Sequence, residues 1–126
     1  MSANKNLPSL DHSIVQELRD LETETQDTGL LASLVETFAQ DASTRLTTVH
    51  RALANRDLEQ IRVEGHTLKS SSANLGAVKL SSLCKDLESA GHARSLPDAL
   101  RLVPEIDREL EVVVGELRNE ARKKAA

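Results

Sequence analysis

Apolar residues along this chain recur three and four positions apart almost everywhere, and nowhere in strict alternation, so the pattern is helical throughout. Asp11 is placed to cap a short first helix carrying Ile14, Leu18 and Leu21. Asp27-Thr28-Gly29 reads as a turn opening a second helix. Its stripe runs through Leu31, Leu34, Val35, Phe38, Ala42, Leu46, Val49 and Leu53 and ends near Asn55-Arg56. Asp57 then caps a third helix striped by Leu58, Ile61, Gly65, Leu68, Ser72 and Leu75, with Gly76 as a left-handed stop. Leu80, Leu83, Cys84, Leu87 and Ala90 mark a fourth, expected to end at Gly91. Pro97 suits the first turn of a last helix carrying Ala99, Val103, Ile106, Leu110, Val113, Val114 and Leu117. Pro104 interrupts that last pattern, which predicts a kink or a later true start.

Short connections between consecutive helices favour antiparallel packing. The pattern therefore predicts an all-α fold: an up-down antiparallel four-helix bundle with an additional short N-terminal helix. Residues 1–9 read as a flexible polar leader, 10–122 as the bundle domain, and 123–126 as a basic tail. Composition agrees. Of 126 residues, 39% are hydrophobic but only 1% aromatic, so Leu, Val, Ile and Ala must fill the core. A formal charge of -4 argues against nucleic acid as a partner. No apolar run approaches membrane-spanning length, and the leader lacks the apolar segment of a signal peptide. Cys84 is the only cysteine, which precludes an intrachain disulfide and fits a reducing, cytoplasmic setting. The opening Met1 and polar leader point to a free-standing protein.

Candidate chemistry is concentrated in His66-Thr67-Leu68-Lys69-Ser70-Ser71-Ser72. With about 100° per residue, His66 lies roughly 130° from the core direction of the third helix and Ser70 about 170°. The imidazole is therefore off the buried stripe. Lys69 sits beside it at i+3, and the small side chains at 70 and 73 leave it uncovered. Neutral imidazole is a nucleophile near pH 7, and a neighbouring cation suits a phosphoryl group's oxygens. The Ser70 hydroxyl can donate to one of those oxygens. Val63, apolar on the outer face, hints at a docking surface together with Arg62, Thr67, Ala73, Asn74 and one side of the second helix. No residue near His66 in sequence is an obvious base for activating water. His12, His50 and His92 are scattered without ligands at metal spacing, so no metal site is expected. Ser82-Leu83-Cys84-Lys85 matches a serine-hydrolase tetrapeptide, but in a plain amphipathic helix it carries no weight.

The run from His66 to Leu80 resembles the signature of histidine-containing phosphotransfer (HPt) domains, H-x-L-K-G-[SA]-[SA]-x-x-[LIV]-G. His66, Leu68, Lys69, Ser71, Ser72, Leu75 and Gly76 all fall in place. The resemblance implies a four-helix bundle with an extra N-terminal helix. It also implies a phosphocarrier without catalysis of its own. Its partners would be response-regulator receiver domains and a hybrid sensor histidine kinase, the chain itself being a monomer. His66 would be the phosphoacceptor and Lys69 its stabilising cation. No cofactor is implied on this chain, Mg²⁺ being expected on the receiver. A module that binds a receiver without taking phosphate is the alternative reading.

Two departures stand out. The usual glycine after the lysine is Ser70 here, which narrows the approach to the imidazole. The glutamine often found on the next helix is replaced by Lys85 and Glu88, and Glu88, as an anion, is expected to stay outside the site.

Overall fold

The structure, a computed structural model, describes residues 3–123; the side chains of residues 3 and 5 are excepted. A single 3-10 turn, Ala3–Asn6, precedes five helices: α1 (His12–Thr25), α2 (Leu30–Asn55), α3 (Leu58–Asn74), α4 (Val78–His92) and α5 (Leu96–Arg122). Their starts follow the capping chemistry in the sequence. The side chains of Asp11, Asp57 and Ser95 accept from Ser13, Gln60 and Asp98 backbone N–H groups, satisfying donors that a first turn leaves open. Glu22, reaching over from α1, accepts from the Leu31 N–H at 2.8 Å and takes that role for α2, which has no side-chain cap of its own.

The helices pack as an antiparallel bundle. Glu36 near the start of α2 meets Arg118 near the end of α5, while His50 near the end of α2 meets Asp107 in mid-α5. The four main stripes form one core, in which Val35, Val49, Ile61, Leu87, Ile106 and Leu117 are fully buried. The expected all-α bundle with an extra N-terminal helix is the observed architecture.

Three details differ from the sequence expectation. Gly91 does not end α4; it lies inside the helix, and the left-handed residue is Arg94 at φ 55°. A Cβ at Gly91 would stand 2.6 Å from the Arg62 nitrogen and 2.8 Å from the Leu58 carbonyl oxygen, so glycine is there for close backbone approach. Pro104 does not mark a later start, because α5 begins at Leu96 and runs through it. The carbonyl that Pro104 deprives of a partner belongs to Leu100, an exposed residue on the outer face of the helix.

The leader, expected to fray, is laid against α4. Asn4 is buried and donates to Asp86 at 2.8 Å, and the Ser82 hydroxyl donates to its side-chain oxygen. Residues 1–2, and the basic tail beyond Lys123, lie outside the described residues. Gly76 behaves as expected, at φ +78°, and it has a second constraint. A Cβ there would meet the Asp11 carbonyl oxygen at 2.9 Å, where the chain entering α1 is bonded from Asp11 N–H to the Gly76 oxygen at 2.7 Å.

Candidate functional site

The site is built by the closest helix pair in the molecule. Gly65 on α3 offers no side chain, and a Cβ in its place would lie 2.8 Å from the Glu88 nitrogen and 3.1 Å from the Cys84 carbonyl oxygen. With Gly91 packed against the start of α3 in the same way, α3 and α4 run backbone to backbone. Position 88 is thereby brought against the α3 surface, beside residues 66 and 69.

The consequence overturns one expectation. Glu88 is inside the site: its Oε2 lies 2.8 Å from His66 Nδ1 and its Oε1 2.7 Å from Lys69 Nζ. Lys69 accordingly has a resident counter-ion and is not a free cation. The anion is tolerated because both neighbours offer it protons. Bonding to Lys69 above all, and then to His66, holds the Glu88 carboxyl below its ordinary range against the opposing effect of burial. Sequence proximity could not reveal this pairing, since 22 residues separate His66 from Glu88. The available signal was Gly65 on the core-facing stripe, which marks a close crossing, with Glu88 flanking the stripe residue Leu87. Lys85, one turn before Glu88, is exposed.

The ionised Glu88 fixes the tautomer of His66. A carboxylate can only accept, so Nδ1 must carry the proton and donate. The lone pair of the neutral ring is then on Nε2, the nitrogen on the other edge of the imidazole. With 59% of its side chain exposed, the ring is open to a partner. The neighbouring face is continuous: Val63, Ala73, Asn74 and Ser70 are exposed, and Thr67 and Arg62 are half-buried. Arg62 is paired with Glu59 on its own helix. The Ser70 hydroxyl points back to the His66 carbonyl oxygen at 3.4 Å, so reaching a group on the ring requires it to turn. Ser72 faces the core, as expected from the stripe, and its hydroxyl is buried without a hydrogen-bond partner.

His66 lines neither of two clefts of about 290 and 280 Å³, which are bordered by residues of α4 and α5. The candidate nucleophile stands on an open helix face. Cys84 is buried, and burial pushes its thiol up to about 12, away from the reactive thiolate. No helix among the described residues is long and apolar enough to cross a membrane.

An exposed histidine on the second long helix of a four-helix bundle, with a lysine one turn on, is the arrangement that the resemblance to histidine phosphotransfer domains implied. The chain belongs to the Hpt domain family, whose model matches residues 33–118. Among curated proteins it is similar to multistep phosphorelay regulator 1 of Schizosaccharomyces pombe, 29% identical over 96 residues, covering 76% of this chain and 32% of that protein. It is also similar to the phosphorelay intermediate protein YPD1 of Candida albicans, 29% identical over 83 residues, covering 66% of this chain and 44% of that protein. The chain thus spans less than half the length of either relative.

Among solved structures, it resembles histidine-containing phosphotransfer protein B from Pseudomonas aeruginosa PAO1, with a TM-score of 0.83 and 28% identity. That match covers 95% of this chain and all of the other. The maize phosphotransfer protein ZmHP2 shares the fold at a TM-score of 0.78 and 23% identity, over 89% of this chain and 79% of that one.

Proposed function

We propose that this chain is the phosphocarrier of a multistep phosphorelay. It takes a phosphoryl group from the aspartyl phosphate of one receiver domain onto His66 and gives it up to the aspartate of another. The observation that carries this reading is the exposed His66 imidazole, proton on Nδ1 and lone pair on Nε2, with Lys69 beside it on the shared partner Glu88. Attack from Nε2 breaks the P–O bond, and the electron pair returns to the receiver carboxylate. Lys69 is the stabilising cation, and Ser70 limits access and can donate one hydrogen bond.

Receivers dock on Arg62, Val63, Thr67, Ala73 and Asn74, with one side of α2. The receiver brings Mg²⁺ and the acidic residues that hold it, so this chain works without a cofactor and without turnover of its own. A hybrid sensor histidine kinase stands upstream. The carrier works as a monomer in the cytoplasm, where its one buried thiol has no need of a disulfide partner.

Incubation with a ³²P-labelled receiver should transfer label to this chain in an acid-labile, base-stable form. The His66→Gln protein, with unchanged helicity, should take none. Label on that variant, or none on the wild type with any receiver of the host, refutes the reading.

A further inference from the structure

A carboxylate on Nδ1 matters more after phosphoryl transfer than before it. When Nε2 attacks phosphorus its lone pair becomes the N–P bond, and the Nδ1 proton stays where it is. The phosphorylated ring then carries a positive charge for as long as that proton remains. Its fate decides how the N–P bond breaks. With the proton in place, attack on phosphorus by a carboxylate or by water returns the electron pair to Nε2 and expels neutral imidazole. Without it, the leaving group is an imidazolate anion, far more basic and far slower to leave.

The partner of that proton is Glu88 Oε2 at 2.8 Å. We propose that Glu88 is a positioning residue that keeps the Nδ1 proton on phosphorylated His66, and so sets the lifetime of the phosphohistidine and its readiness to pass the group on. The inference rests on His66 being the phosphoacceptor.

Glu88 has a second partner, and the geometry couples the two. Its Oε1 holds Lys69 Nζ at 2.7 Å in the unphosphorylated protein. A phosphoryl group on the neighbouring nitrogen offers Lys69 a stronger anion, and once Lys69 swings to it the whole carboxylate charge faces the ring. The other charges around Glu88 do not take over this role. Arg62 on α3 acts on it only at a distance and is paired with Glu59. Lys85 on α4 is exposed. From α2, Arg45 meets α3 at Glu64 and is also bound to Asp41; Glu64 lies two residues, roughly 200° of helical turn, from His66. Among the described residues, α5 reaches α4 with a charge at Glu109, which meets Lys79 near the start of α4.

Glu88→Gln tests the idea, since an amide oxygen can still accept from Nδ1–H but carries no charge. An opposite charge in contact moves a titration by about one pH unit at a half-exposed site. The experiment is the decay of phosphohistidine with pH, after labelling by a phosphorylated receiver and removal of that receiver. In the wild type, decay should stay fast to a pH about one unit higher than in Glu88→Gln. Above both midpoints, the variant's half-life should be longer by up to about tenfold.

Coincident midpoints overturn the proposal. So does slower decay at every pH without a shift of midpoint, the result expected if Glu88 were instead a base for water. Glu88→Ala, with circular dichroism to establish folding, should shift the midpoint at least as far, and an unshifted profile counts against the role. Failure of the wild type to take label at all refutes the phosphocarrier reading itself, a result separate from any of these.

Discussion

Gly65→Ala sets two physical effects against each other, and the structure decides between them. In a helix interior, alanine is favoured over glycine by about 1 kcal/mol, so propensity alone predicts a more stable protein. The new Cβ would lie 2.8 Å from the Glu88 nitrogen and 3.1 Å from both the Glu88 Cα and the Cys84 carbonyl oxygen. All three are backbone atoms of α4, so no side chain can turn aside. The helices must part by several tenths of an ångström, along a seam that Gly91 also holds close. Overpacking of this kind costs about 1–3 kcal/mol, which cancels the propensity gain and leaves a net loss of roughly 0–2 kcal/mol.

Gly115→Ala is the matched control: α5 is helical there, and nothing lies within 4 Å of the added Cβ. That variant should gain the full propensity term, about 1 kcal/mol or some 4 °C in Tm. Urea denaturation followed by circular dichroism measures both. If Gly65→Ala is as stabilising as Gly115→Ala, the backbone-to-backbone account of the α3–α4 seam is wrong. The same separation draws Glu88 away from His66 and Lys69, so phosphoryl uptake by the Gly65→Ala protein should also fall.

Three further outcomes follow from the site and its surroundings. Lys69→Ala should slow phosphoryl uptake from a labelled receiver at least about tenfold through loss of a cation at the transferring group, with helicity intact; an unchanged rate removes its role. Ser70→Gly, which clears the approach to the ring, should speed uptake or widen the set of receivers accepted, and a slower, narrower profile would show that the hydroxyl contributes a needed hydrogen bond. Glu120, buried between Arg19 and Lys123, has its carboxyl held below the ordinary value of 4.5, first by Lys123 and then by Arg19. Because the folded value is the lower one, that contribution is complete above the unfolded value and is lost as pH falls through the folded one. Glu120→Gln should therefore flatten the acid limb of the stability profile, at a neutral-pH cost on the order of 1 kcal/mol; parallel acid limbs would refute the linkage.

How much could be read from the chain divides along a physical line. Helix number, caps and stripes are local properties: Asp11, Asp57 and Ser95 announce their helices through the first turn alone, and residues three and four apart share a face whatever else the chain does. The outward direction of His66 follows from the same periodicity. What the pattern could not supply was distance between helices. In sequence Gly65 is one more stripe position and Gly91 a stop, and only their contacts with the backbone of the opposite helix make them the reason two backbones touch. Glu88 was misplaced for that reason. An anion near a phosphoryl site is unfavourable by itself, and it becomes favourable once Lys69 and the Nδ1 proton are known to be its neighbours. Asn4 shows the same limit, since its partners Asp86 and Ser82 are about 80 residues away.

The open helix face around His66 has a kinetic consequence for the proposed relay. One acceptor nitrogen on one exposed surface has room for a single partner, so a loaded donor and an empty acceptor compete for the same ground and never occupy it together. The carrier then operates as a shuttle. Its throughput depends on how fast each complex falls apart, and tighter docking by one receiver delays delivery to the next.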